Sequence, residues 1–152
     1  MNVYLKKFIE SNFENPGKAL DLGSGDFSDV NYLKKEGWEC EGVDKKSGVN
    51  LEKLYISNMK LFDLVYSNYV LHFLNNRQQL INSAYKNLKK GGWLFIHAFE
   101  KSDKHTKKGL TEKEMREMLQ QFKNISIKVF NYYDNEPNHN HWHRVMEVSA
   151  QK

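Results

Sequence analysis

The chain has 152 residues, 39% of them hydrophobic and 28% charged, which suits one domain and excludes wholesale disorder or a fibrous repeat. Lysine and arginine number 23 against 19 acids, a net charge of +4 that is spread along the chain and permits an anionic partner without demanding nucleic acid. The single cysteine, Cys40, excludes an internal disulfide and a multi-cysteine metal site. No apolar run reaches the roughly 18 residues of a membrane span, and MNVYLKKFIE at the start has no leader-like apolar segment. The expectation is a cytoplasmic, non-membrane protein, one domain over residues 1–152, as a monomer or homodimer.

Taken in order, helices and strands alternate, the pattern of an α/β sheet with helices on both faces. Val3 to about Phe13 places Tyr4, Leu5, Phe8, Ile9 and Phe13 at helical spacing, and Pro16-Gly17 ends the helix. Lys18 to Leu22 (KALDL) is a short strand running into Gly23-Ser24-Gly25. A helix follows from about Ser28 to Glu36, closed by Gly37. Trp38 to Val43 is a second strand ending at Asp44.

Lys45 to Lys60 reads ambiguously: Val49-Asn50-Leu51 as a vestigial strand, Glu52 to Asn58 as a helical turn or two. Leu61 to Ser67 (LFDLVYS) is a near-continuous apolar run, as in a strand buried on both faces. Gln78 to Leu88 predicts a helix stopped by Gly91-Gly92, and Trp93 to Phe99 a strand. Thr111 and Glu114 form a capping-box pattern that opens a helix with Met115, Met118, Leu119 and Phe122 inward. Ile125, Ile127 and Val129 alternate as a strand, as does Trp142 to Ala150. The turn-rich loop Asn131 to Asn140 joins these two, which predicts antiparallel pairing.

The most informative segment is Asp21-Leu22-Gly23-Ser24-Gly25-Asp26-Phe27. Glycines between a strand and a helix let backbone approach a ligand closely, but turns and tight packing use them too. Loops for nucleotide pyrophosphates present bare N–H groups to an anion. Here Asp21 precedes the first glycine and Asp26 follows the second, so the loop suits a ligand that carries positive charge. Position 28 is Ser where a dinucleotide loop asks for Gly or Ala. Asp44, at the end of the second strand, stands where an acid can accept two hydrogen bonds from a ribose diol, or simply cap the next turn.

As an ordered set, ALDLGSGD, EGVDKK, FDLVYSNYVLHFL and LKKGGWLFI resemble the first motif, second-strand acid, fourth-strand segment and fifth-strand segment of the class I S-adenosylmethionine-dependent methyltransferases. The resemblance covers roughly Lys18 to Phe99, and the C-terminal part is similar to the tellurite-resistance-type small-molecule methyltransferases. It implies a Rossmann-like, doubly wound, mostly parallel sheet with an antiparallel C-terminal hairpin strand and an abbreviated third strand. S-adenosyl-L-methionine is the implied cofactor. Asp21, Gly23, Ser24 and Gly25 would hold its methionine end, Asp44 its ribose, and Lys45, Asn50 and Leu51 its adenine. Ser67 and Asn68 would line its floor, with Leu71 packing nearby. Phe27 departs from the family, standing where many members have a third glycine. Asn50 replaces a usual acid, and the stretch from Asp44 to Leu61 is shortened.

Methyl transfer from a sulfonium is an in-line displacement that positioning and desolvation accelerate; a base helps only when the nucleophile must lose a proton. Ser67-Asn68-Tyr69-Val70 lacks the prolines of amino-methylating enzymes that act on nucleic-acid bases or protein glutamine. Ligands bind beyond the carboxyl ends of parallel strands, which directs Tyr69 to Phe73, His97 to Lys108 and Asn131 to His143 toward an acceptor. His72, Tyr69, His141 and Tyr132 are the candidate acceptor-site residues. His139, His141 and His143 alternate, so they share one face of an extended segment as substrate contacts, zinc or nickel ligands, or a solvated loop. The expected function is methyl transfer to a small molecule. The alternatives are a same-fold enzyme acting on RNA or protein, so that nucleic acid is not excluded, and a non-catalytic cofactor-binding module. Asp21 and Asp26 oppose a nicotinamide dehydrogenase.

Overall fold

The computed structural model describes residues 1–59, 61–135 and 140–152. Strands β1 (Lys18–Leu22), β2 (Glu39–Val43), β3 (Phe62–Asn68), β4 (Leu88–Phe99), β5 (Lys123–Asp134) and β6 (His141–Gln151) form a sheet in the order β2-β1-β3-β4-β6-β5. The first four are parallel neighbours; β6 runs antiparallel to β4, and β5 antiparallel to β6.

Strand alternation sorts the apolar side chains onto two faces. Ala19, Leu64, Tyr66 and Phe95 face α1 (Val3–Asn12) and α2 (Ser28–Lys35), which contribute Leu5, Ile9, Val30 and Leu33. Leu20, Leu22, Val65, Leu94 and Ile96 face α3 (Arg77–Asn87) and α4 (Glu112–Met118), which contribute Leu80, Ile81, Ala84 and Met115. The fold is therefore the mixed, doubly wound α/β arrangement that the alternation predicts. The capping box at α4 is present, with Thr111 Oγ1 accepting from the Glu114 N–H at 3.1 Å and Glu114 accepting from the Thr111 N–H at 2.7 Å.

Three local expectations need correction. Among the described residues, nothing between Asp44 and Leu61 joins the sheet, so Val49 to Leu51 is not a strand and β2 is an edge. Glu52 to Asn58 is turn and irregular chain, not helix. Side chains hold it in place of a ladder. The Tyr55 N–H donates to Ser83 Oγ at 2.9 Å, the Ser57 N–H donates to Asn87 Oδ1 at 2.8 Å, and Asn87 Nδ2 returns a bond to the Tyr55 carbonyl at 2.9 Å. The hydroxyls of Tyr55 and Ser57 both donate to the carboxylate of Glu41 on β2. Finally, Gly91-Gly92 does not separate helix from strand. β4 begins at Leu88, and the glycines sit where its register with β3 slips, Gly91 in the left-handed region at φ 78°.

Candidate active site

The carboxyl ends of β1, β2 and β3 open onto a cleft of about 740 Å³ lined by Gly23, Gly25, Asp44, Lys45, Asn50, Leu51 and Asn68 from the predicted set. Val49, Glu52, Tyr69, Val70, Phe73 and Leu74 complete the wall. The other four predicted cofactor residues lie behind it. Ser67 is buried, its hydroxyl donating to the Leu22 carbonyl at 2.7 Å, and Leu71 belongs to the core. Ser24 is buried against Gly42, and Asp21 sits beneath the loop on the α1–α2 face. These four shape the cleft without lining it.

The glycine loop spends its N–H groups on the protein itself. The Gly23 and Ser24 N–H groups donate to the Val43 carbonyl at 2.8 and 3.1 Å, and the Gly25 N–H donates to Asp44 Oδ2 at 3.3 Å. A pyrophosphate needs such donors unspent; here they are consumed by the edge of β2. Gly23 is obligatory on two counts: its φ is 108°, and a Cβ would meet Val70 Cγ2 at 2.2 Å. Phe27, where many family members have glycine, adopts φ 64°, so the backbone keeps the left-handed turn with the less suited residue. Asp26 is exposed, and its carboxylate accepts from the Ser28 N–H at 3.0 Å at the start of α2, which lowers its pKa. It is a local helix-start acceptor and does not line the cleft, so the charge argument rests on Asp21 and Asp44.

Asp21 is almost wholly buried, and burial pushes its pKa well above the carboxylate range. The nearby charge of Asp29 pushes the same way, the Tyr66 hydroxyl partly offsets it, and Asp44 adds a smaller push. A cation arriving at this end of the cleft offsets the like charges of Asp29 and Asp44 and favours the ionised form of Asp21. Asn68 fits the same guest: its Nδ2 donates to Asp29 Oδ2 at 3.1 Å, while its Oδ1 is buried without a hydrogen-bond partner. The residues present therefore suit a ligand with an ammonium at the Asp21–Asn68 end and hydroxyls at Asp44. Asn50, the departure from the family's acid, turns its Oδ1 to the Glu52 N–H at 3.0 Å. Glu52, which sequence reasoning missed, lines the cleft and holds the N–H groups of Asn75 and Asn76 at 2.9 and 2.7 Å, lowering its pKa. Its signal was an acid two positions past Asn50.

Tyr69 and Phe73 also line a second chamber of about 580 Å³, with His72, Phe99, His105, Tyr132, Asp134, His141 and His143. Tyr69 is held at φ 57°, a left-handed conformation at the end of β3 of the kind that concentrates at working sites. The predicted candidates His72, Tyr69, His141 and Tyr132 are thus brought together. Burial lowers the pKa of His72, with Arg77 and His143 adding to it. His97 does not join them: it is fully buried in β4, its Nε2 3.4 Å from Glu147 Oε2 and its Nδ1 3.3 Å from Asn2 Nδ2. Of the segment His97 to Lys108, Phe99 and His105 line this chamber and His97 does not. His139 lies outside the described residues, among which no cluster of three or more His, Cys, Asp or Glu side chains is arranged to hold a metal ion.

With this geometry in hand, the comparisons with known proteins converge. A family profile described as a methyltransferase domain matches residues 1–147. The fold is similar to that of TehB from Haemophilus influenzae, with a TM-score of 0.75 at 18% identity, covering 100% of this chain and 62% of that one. This chain thus spans less than two thirds of TehB. A SAM-dependent methyltransferase from Methanosarcina mazei gives 0.77 at 16% identity, covering 95% and 96% of the two chains. The 1,6-didemethyltoxoflavin-N1-methyltransferase of Burkholderia thailandensis, solved with 1,6-didemethyltoxoflavin and S-adenosylhomocysteine, gives 0.70 at 18% identity, covering 99% and 81%. None of the curated proteins compared by sequence matches the chain. The sheet and its cleft define the class of S-adenosylmethionine-dependent methyltransferase folds. The chain belongs to the methyltransferase-domain family.

Proposed function

We propose that this chain transfers a methyl group from S-adenosylmethionine to a small-molecule acceptor, with the cofactor in the glycine-loop cleft and the acceptor in the second chamber. The cofactor supplies a methyl group activated on a sulfonium. Asp21, which the ammonium draws into its ionised form, and Asn68, through Oδ1, favour the ammonium end; Asp44 accepts from the ribose hydroxyls. Leu51, Val70 and Leu74 exclude water from the cleft.

The observation that carries the reading is the shared wall: Tyr69 and Phe73 border both spaces, so a group bound in one lies beside a group bound in the other. A chamber of about 580 Å³ with aromatic and imidazole walls is of small-molecule size. The bound 1,6-didemethyltoxoflavin of the similar Burkholderia thailandensis enzyme is a small molecule, which is consistent with this.

Calorimetry with S-adenosylmethionine, S-adenosylhomocysteine and NAD tests the first half. The first two should bind and NAD should not; NAD binding alone overturns it. Formation of S-adenosylhomocysteine with a panel of amines, phenols and thiols, against structured RNA and protein, tests the second. Turnover with RNA or protein only would replace the small-molecule acceptor, and cofactor binding with no turnover on any acceptor would favour a binding module.

A further inference from the structure

The wall between the two spaces holds an imidazole that makes no hydrogen bond. His72 lies in the short 3-10 turn Leu71–Phe73 after β3. In sequence it falls between Tyr69 and Phe73, the two side chains that border both the cofactor cleft and the second chamber. Its Nδ1 is buried with no hydrogen-bond partner among the described residues. Its Nε2 makes no hydrogen bond to them either and is not enclosed, so it is the ring nitrogen that a ligand can reach. Aromatic contacts hold the ring instead, with Phe73 at 3.9 Å and Phe99 at 4.9 Å between ring centres. Buried polar atoms in folded proteins ordinarily have a partner, and two other imidazoles nearby show it. His97 has Asn2 and Glu147, and His143 has Asp103.

The His72 ring is neutral at neutral pH, because burial lowers its pKa and Arg77 and His143 add to that. Arg77 spends its donors on the Leu71 carbonyl, 3.0 Å from Nε, and on the Lys108 carbonyl. No lysine or arginine is among the described residues that line the chamber, so an anionic acceptor finds no cation on these walls. A neutral imidazole pairs with an uncharged N–H, O–H or carbonyl. The surface around it is flat: Tyr69, Phe73, Phe99 and Tyr132, with His105 and His141 stacked 3.7 Å apart. Phe73 is 72% exposed, and its ring is apolar area beside a concave space that a second ring can cover.

We propose that His72 is the acceptor-binding residue of this chamber, and that the acceptor is an uncharged, flat aromatic or heteroaromatic compound whose N–H, hydroxyl or carbonyl hydrogen-bonds to Nε2. This deepens the reading of that chamber as the acceptor site and rests on it. Phe73 and Phe99 fix the plane of the imidazole, and the acceptor packs its face against Phe73. The hydrogen bond then selects which edge of the acceptor turns toward the cofactor cleft. An aliphatic amine makes the hydrogen bond but gains little from the ring surfaces. An aromatic carboxylate gains the packing but brings a charge that these walls do not neutralise.

Nitrogen-15 imidazole spectra of the full chain, saturated with S-adenosylhomocysteine and titrated with defined probes, test this. 2-Naphthol and indole should bind and move the His72 Nε2 resonance, and butylamine and 2-naphthoate should bind at least about ten times more weakly. His72→Phe keeps a flat ring without nitrogen and should weaken 2-naphthol and indole roughly 3- to 10-fold, the worth of one neutral hydrogen bond. His72→Gln, which restores a donor and an acceptor, should recover part of that loss. The proposal is overturned if neither 2-naphthol nor indole binds, if they bind without moving His72, if His72→Phe binds them as well as the wild type, or if 2-naphthoate binds more tightly than 2-naphthol. The wild-type spectra decide the matter even if the variants do not fold. Failure of the wild type to bind S-adenosylmethionine or S-adenosylhomocysteine is a separate outcome, and it overturns the underlying functional reading.

Discussion

Asp44 ties down Gly25: its Oδ2 accepts the Gly25 N–H at 3.3 Å, while Oδ1 takes the Lys46 N–H at 3.0 Å and opens the short 3-10 turn Lys45–Ser47. One acid thus fixes both the glycine loop and the start of the opposite wall. A carboxylate has about four acceptor positions, so it retains capacity for a diol.

Asp44→Ala should weaken S-adenosylhomocysteine binding roughly 10- to 100-fold, the worth of one or two charged hydrogen bonds. Asp44→Asn keeps an acceptor for the Lys46 cap and separates lost capping from lost diol contact. Calorimetry checks both, and an unchanged affinity in Asp44→Ala removes the ribose assignment.

Asp21 should trade stability for binding. Its folded pKa is raised, first by burial and next by Asp29. Such a group is fully compatible with the fold below the ordinary carboxylate pKa, and stability is lost as pH rises through the higher folded value. Asp21→Asn should therefore raise the melting temperature of the unliganded protein at pH 8, with the difference vanishing near pH 4. It should also weaken S-adenosylmethionine binding. Wild-type binding should release a proton, visible as a buffer-dependent calorimetric enthalpy, and the variant should not. A lower melting temperature of the variant throughout that range contradicts this account.

Gly23→Ala places a methyl group against Val70 and strains a backbone at φ 108°. The expected loss is about 3 kcal/mol, combining overpacking with left-handed strain. Val70→Ala in the same chain should recover the packing part and leave the strain. Urea unfolding of the two single variants and the double variant measures the coupling, and strict additivity would exclude the clash.

Asn87 stands in for a missing strand. Its side chain bonds the Ser57 N–H and the Tyr55 and Ser83 carbonyls at 2.8, 2.9 and 2.8 Å. Asn87→Ala leaves the Ser57 N–H and the Tyr55 carbonyl without these partners and should cost about 2–4 kcal/mol. Amide exchange should accelerate most at residues 55–59, with cofactor affinity falling because the same segment follows the cleft wall. Uniform acceleration across the sheet would show that the clamp is not local.

The alternation of Ala19 with Leu20, the apolar run Leu61 to Ser67 and the Thr111–Glu114 box were all legible, because each depends on neighbours a few residues away in the chain. So was the choice of Gly23 and Asp44, since a strand-end turn and a strand-end acid are local demands. The stretch from Lys45 to Lys60 was not. Within it, the conformation of Tyr55 to Ser57 depends on Ser83, Asn87 and Glu41, which sequence separation hides.

By itself, the order of residues determined the two-faced parallel sheet and an acid-bearing glycine turn, through periodicity and local backbone chemistry. Tertiary structure alone decided that Asp26 serves a helix start and His97 the core. It alone placed Asp103 behind His143, forty positions along the chain. A side chain's role at such places is set by the burial and partners that distant segments bring, and spacing along one chain does not encode that directly.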